Sequence, residues 1–247
     1  GRFHHAQGHL TRFLNLMGGY TKSVNTYSLA AGEVILPHVL GGAEFIYGAT
    51  SWQSIISDCD LMVAFGGLPV KNAAVGQGGV GAHRTGPALL EAKAAGVDFI
   101  NISPLRSDMP AALQADWLAP RPSTDAALMI GLAHVLLTEN LTDQAFLEKY
   151  TEGFDRFSAY LTGEVDGIAK TADWAADICK LSAYTIRSLA RRMARGRTMI
   201  SLAWALTRQD HGEQPFWLGT VLAAMLGQIG LPGGGIGFGY GATNTVG

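Results

Sequence analysis

Asp60-Leu61-Met62-Val63-Ala64-Phe65-Gly66-Gly67-Leu68-Pro69 is the stretch on which the reading of this chain turns. A short continuous apolar run closed by paired glycines has the pattern of a strand buried on both faces, as parallel strands are. Working outward, Pro69 to Gly86 reads as a glycine-rich loop, and a helix follows from Pro87 to Ala95 with Gly96 at its C-terminal cap. Val97-Asp98-Phe99-Ile100-Asn101-Ile102 is a second strand, running into Ser103-Pro104, and Asp116-Trp117-Leu118-Ala119 a short third. Pro120-Arg121-Pro122 stops it, Ser123 or Thr124 caps a helix from Asp125 to Leu137, and residues 142–195 hold several helices. Thr198 to Trp204 is a fourth strand, and Pro215 to Ile229 a largely apolar helix. Strands alternating with helices predict an α/β fold: a doubly wound, mostly parallel sheet with helices on both faces.

Before Trp52 the pattern is helix and loop. Phe13, Leu14, Leu16 and Met17 cluster at helical spacing before Gly18-Gly19, and Ser28 is placed to cap a helix that ends ahead of Pro37. The expected organisation is a lead-in segment over 1–50, the α/β domain over 51–230, and a glycine-rich return over 231–247. The chain opens on Gly1 and closes on Gly247, so both ends are expected to be cuts through a larger multidomain polypeptide.

Composition narrows the function. Of 247 residues, 48% are hydrophobic and 15% charged, and 18 Lys and Arg face 20 Asp and Glu for a net charge of −2. That balance suits a large core and excludes a strongly basic nucleic-acid binder. No apolar run reaches the roughly eighteen residues of a membrane span. Cys59 and Cys179 have no metal-site spacing and read as small buried hydrophobes.

In doubly wound sheets ligands sit beyond the carboxyl ends of the strands. Those ends are Gly66–Leu68, Ser103–Arg106, Pro120–Asp125 and Trp204–His211. Gly66-Gly67 would let a ligand approach the main chain, or simply make a tight turn. At Pro120–Asp125 a helix N-terminus, a guanidinium and a carboxylate come together; the amides suit phosphate and the carboxylate a guanine edge. Trp204-Ala205-Leu206-Thr207-Arg208-Gln209-Asp210-His211 combines an indole, a guanidinium and an imidazole, a set suited to a polar substrate oxygen. Gly76-Gln77-Gly78-Gly79-Val80-Gly81 matches G-x-G-x-x-G but lies about ten residues past the first strand, where the dinucleotide fingerprint follows the strand directly. The next strand also ends in Ser103 in place of an acidic ribose-binding residue, so NAD is not expected. His4, His5 and His9 lack carboxylate or cysteine partners nearby and read as solvated or capping residues. His83 and Arg84 are expected to be exposed, and His134 to be a satisfied core residue.

Several strings in fixed order carry a resemblance: Gly1-Arg2-Phe3-His4, Ile35-Leu36-Pro37-His38-Val39, Thr124-Asp125-Ala126-Ala127-Leu128-Met129, His211-Gly212-Glu213-Gln214 and Gly227-Gln228-Ile229-Gly230-Leu231-Pro232-Gly233-Gly234-Gly235. Nearly end to end, the chain resembles the bacterial molybdopterin-dependent reductases of S- and N-oxides, those of dimethyl sulfoxide, trimethylamine N-oxide and biotin sulfoxide. The resemblance implies a molybdenum bound by two molybdopterin guanine dinucleotides, oxygen-atom transfer from a small sulfoxide or N-oxide, and an electron-donor protein or reduced nicotinamide as partner. It places Trp204 and Arg208 in the catalytic pocket and Ala205 beside the cofactor. Pro37, His38, Gly67 and Leu68 would touch a dinucleotide, and Ser103, Arg106, Arg121, Pro122 and Asp125 would surround a guanosine end. The serine that ligates the metal in this family falls upstream of Gly1, so the segment alone is expected to be catalytically incomplete and to hold no metal ligand. Leu68 stands where the family commonly has a polar residue. A formate dehydrogenase-like or other molybdopterin enzyme, and a nucleotide-binding module without catalysis, stay open. The compartment would be periplasmic for the dimethyl sulfoxide and trimethylamine N-oxide type and cytoplasmic for the biotin sulfoxide type.

Overall fold

A computed structural model describes residues 6–42, 44–46, 48, 50–73 and 83–242. The described residues build one five-stranded sheet in the order β3-β2-β1-β4-β5, with β1 Leu61–Phe65, β2 Asp98–Ile102, β3 Asp116–Leu118, β4 Thr198–Leu202 and β5 Gly235–Phe238. Every pairing is parallel; β1 at the centre registers Val63 with Ile100 of β2 and with Ile200 of β4. The helices are α1 Ala6–Leu16, α2 Ala30–Leu40, α3 Trp52–Asp58, α4 Val70–Ala73, α5 Thr85–Ala94, α6 Asp125–Thr138, α7 Gln144–Tyr150, α8 Phe154–Thr162, α9 Ala172–Cys179, α10 Ala183–Met193 and α11 Gln214–Met225.

Alternation along β1 divides the core. Leu61, Val63 and Phe65 point into the larger layer, built with α2, α6, α9, α10 and α11. Met62 and Ala64 point the other way, to Trp52 and Ile55 of α3 and Ala88, Leu89 and Ala92 of α5. All five residues of β1 are buried, as a strand covered on both faces requires. Among the described residues, no helix is long and apolar enough to cross a membrane.

Several boundaries depart from the expected ones. Ser28 does not cap α2; its amide bonds to Thr26 Oγ1, and α2 starts after Leu29 without a side-chain cap. The helix also runs through Pro37 to Leu40, and it is Gly41, at φ 83°, that ends it by donating to the Pro37 carbonyl. β4 stops at Leu202, two residues early, because Trp204–Thr207 turns into a 3-10 helix. α11 ends at Met225, with Gly227 at φ 66° behind it. The 231–247 segment contributes β5, an edge strand that its glycines concealed. Part of the Pro69–Gly86 loop is helical, as α4, and the G-x-G-x-x-G string lies outside the described residues, as do His4 and His5. His134 is half-buried and not a core residue, whereas both cysteines are buried.

Candidate functional site

The sheet order makes a topological break between β1 and β4, because the chain leaves β1 toward β2 and returns on its other side. Protein already fills that break at the main chain. Ala203 N donates to Phe65 O at 2.9 Å, and a Cβ on Gly66 (φ 82°) would lie 2.7 Å from Ala203 Cβ. Gly67 (φ 77°) is just as tightly faced: a Cβ there would sit 2.6 Å from the Asp108 carbonyl oxygen. The paired glycines therefore admit Ala203 and Asp108 at close range, and Leu68, 1% exposed, belongs to the α3–α5 core layer.

At the β2 tip Ser103 is 1% exposed and its hydroxyl is committed, donating to Asp108 Oδ2 at 2.6 Å and accepting from Leu105 N at 3.2 Å. Its hydroxyl proton is thus spent on Asp108 within the arch. Arg106 opens a 3-10 turn over Arg106–Asp108, is exposed, and forms no ion pair among the described residues. It borders a cavity of about 530 Å³ with Asn101, Ser107, Gln114 and Trp117.

At the β3 tip Arg121, Pro122 and Ser123 are exposed, and the loop is tied down by Arg121 N donating to Cys179 O at 2.8 Å. Neither Ser123 nor Thr124 caps α6; the Thr124 hydroxyl donates backward to Arg121 O at 2.6 Å. The first-turn amides thus keep their capacity for an anion. Asp125 begins the helix and is only 8% exposed. Burial pushes its carboxyl up to about 6, opposed only by its own backbone amide and by no cation. Burial first, and the Asp125 charge as a lesser cause, push the neighbouring Cys179 thiol up as well.

At the β4 tip Trp204 is half-buried and stacks on Phe216 and Phe238, with ring centroids 5.5 and 5.9 Å away. A Cβ on Gly32 would lie 2.8 Å from the indole, so α2 is pressed against this ring. Ala205 and Arg208 are exposed. Arg208 Nη1 lies 3.5 Å from Ser28 O, which Thr207 Oγ1 also approaches at 3.3 Å. Arg208 borders a hollow of about 560 Å³ with Thr26, Tyr27, Ala30 and Gln209.

The residues anticipated at the carboxyl edge thus gather at four neighbouring strand tips. Pro37 and His38 do not join them: they lie in the last turn of α2, and His38 lines a separate groove with Tyr150, Trp217 and Gly230. Asp108, Asn101 and Tyr27 were not singled out from sequence. The only trace of Asp108 was its place in Ser103-Pro104-Leu105-Arg106-Ser107-Asp108, since its partners are set by loop geometry. No cluster of three His, Cys, Asp or Glu suited to a metal occurs among the described residues.

Fold and edge together define a doubly wound α/β domain whose polar side chains collect beyond the strand ends, the arrangement that holds extended, phosphate-bearing ligands. The chain belongs to the molybdopterin oxidoreductase family, whose model matches residues 1–246. It is 46% identical over 99% of its length to a dimethyl sulfoxide/trimethylamine N-oxide reductase of Cereibacter sphaeroides, and 46% identical over 100% to a biotin sulfoxide reductase of the same organism. A trimethylamine-N-oxide reductase of Vibrio cholerae is 42% identical over 97%. The chain spans 30%, 33% and 30% of these relatives. The solved structure of acetylene hydratase from Pelobacter acetylenicus superposes on 90% of the chain with a TM-score of 0.59 and covers it with 28% of its own length; at 24% identity this likeness concerns the fold alone. Family membership implies a molybdenum–molybdopterin cofactor.

Proposed function

We propose that this chain is the part of a molybdenum S- or N-oxide reductase that grips a guanine dinucleotide end of its cofactor, a bis(molybdopterin guanine dinucleotide), and supplies one wall of the substrate pocket. The observation that carries this reading is Asp125, a buried carboxylate without a cation at an uncapped helix N-terminus. A carboxylate so placed is costly unless something donates to it, and the N1–H and N2–H of guanine form a matching pair of donors. Free first-turn amides of α6, with Arg121 and Arg106 nearby in the strand-tip row, suit the phosphates. When bound, the molybdenum cofactor supplies two-electron oxygen-atom transfer from the oxide. Arg208, exposed over the hollow at the α2 start, donates to the polarised oxygen of a sulfoxide or N-oxide. Trp204 fixes the turn that carries Arg208 through its aromatic stack, and Ala205 leaves the space beside that turn open.

In the full-length protein, acid release should yield guanosine monophosphate together with molybdenum. Arg208→Ala should lower turnover of dimethyl sulfoxide and trimethylamine N-oxide while molybdenum content stays near normal. Absence of guanine nucleotide from a molybdenum-replete preparation would refute the dinucleotide assignment, and unchanged turnover of both oxides would refute the role of Arg208.

A further inference from the structure

Asp108 contacts neither hollow at the carboxyl edge through a free side chain, yet it joins the tips of β1 and β2. Its carbonyl accepts from Leu68 N at 2.7 Å, and its carboxylate accepts from Ser103 Oγ at 2.6 Å. Gly67 must be glycine here because any Cβ, at φ 77°, would strike the Asp108 main chain. The rest of the 103–108 arch is pinned in the same way. Leu105 N donates to Ser103 Oγ at 3.2 Å, Asp108 N to Leu105 O at 3.1 Å, and buried Asn101 Nδ2 to Arg106 O at 3.2 Å. Arg106 sits within this arch, exposed and without an ion pair among the described residues. The carboxylate nearest to it in sequence is thus engaged by a serine hydroxyl, and the guanidinium keeps its charge for something else.

We infer that Asp108 is a positioning residue for Arg106: its carboxylate, through Ser103, clamps the arch to the tip of β2 so that Arg106 meets the nucleotide phosphates with its backbone already fixed. This rests on the reading, given above, that Arg106 binds phosphate. Preorganisation of this kind lowers the ordering cost of binding without adding a contact.

A double-mutant cycle tests it, with cofactor-free full-length protein and guanosine 5′-diphosphate as the probe in calorimetry. Arg106→Ala should weaken binding about tenfold, in the range of one charge-assisted hydrogen bond. Asp108→Ala should weaken it by a similar factor, whereas Asp108→Asn, which still accepts from Ser103, should stay within about threefold. In the Arg106→Ala background Asp108→Ala should cause no further loss, but in the Asp125→Asn background the two losses should multiply. Should Asp108→Ala fail to fold, Ser103→Ala removes the same hydrogen bond and takes its place in the cycle. An equal loss from Asp108→Ala with and without Arg106 would show that it acts on the fold alone and would overturn the inference. A full-strength Arg106→Ala variant would instead overturn the phosphate reading, and the clamp's purpose with it.

Discussion

Asp125→Asn should make the cofactor-free protein more stable and a poorer nucleotide binder at once. In the folded protein burial holds this carboxyl at about 6 instead of its ordinary 3.8, which corresponds to about 3 kcal/mol at 1.36 kcal/mol per pH unit. The sign follows from linkage. The folded state binds the proton more tightly than the unfolded chain, so the group's stabilising contribution is complete below the unfolded value of 3.8 and is lost as pH rises through about 6. At pH about 7.5 the unmodified protein therefore carries an unrelieved charge that the amide removes, less about 0.3–1 kcal/mol of lost attraction to the α6 dipole. The net gain is about 2 kcal/mol, read as a higher urea midpoint. Below pH about 4, where the carboxyl is already neutral, the two proteins should differ little. Guanine nucleotide affinity should fall about 10- to 100-fold, since the amide offers one acceptor to two donors. Urea unfolding of both proteins across this pH range, with calorimetric titration of guanosine 5′-diphosphate, measures every element. A variant less stable than the parent at neutral pH, or equally advantaged at both ends of the range, would refute the reasoning.

The same linkage predicts that guanosine 5′-diphosphate affinity of the unmodified protein is flat above pH about 6 and drops up to about tenfold per pH unit below it, with proton release on binding, as calorimetry in buffers of different ionisation heat would show. Gly67→Ala should lose about 2–4 kcal/mol, from the left-handed backbone and from overpacking against Asp108, visible as a shifted urea midpoint. Trp204→Ala should cost about 3–5 kcal/mol because the ring packs on Phe216 and Phe238, whereas Trp204→Phe should keep most of that stability. The Cys59 thiol, pushed up to about 11 by burial, should resist a thiol-specific disulfide reagent at pH about 8 until the protein is unfolded; rapid labelling of the native protein would contradict its packing.

How far the chain could be read follows from what kind of force sets each feature. β1 and β2 were legible because a strand covered on both faces must be a continuous apolar run, and α5 because Gly96 closes it at φ 103°. Pro37 misled because its missing N–H does not oblige a helix to end there; the left-handed Gly41 does that one turn later. β5 was hidden because two of its four residues are glycine, and it is Met199 and Tyr240 packing against Gly237 that make the strand worthwhile. Within the site, the strand-end rule picked out Arg106, Arg121, Asp125 and Arg208. That Gly66 and Gly67 allow close approach was also legible. What approaches them was not, since Ala203 and Asp108 arrive through loop geometry that no spacing encodes. The resemblance puts His38 on a dinucleotide; α2 carries it to a groove of its own, with Tyr150 and Trp217, apart from the strand tips.

The close approach of Ala203 to Gly66 leaves protein, among the described residues, at the middle of the carboxyl edge. A guest reaching both outer ends of that edge would lie along its rim. From β3, which delivers Asp125, to β4, which delivers Arg208, is three inter-strand steps, about 14 Å. On the proposed reading, a cofactor whose base end sat at Asp125 and whose reactive end met an oxide held by Arg208 would have to be extended on that scale.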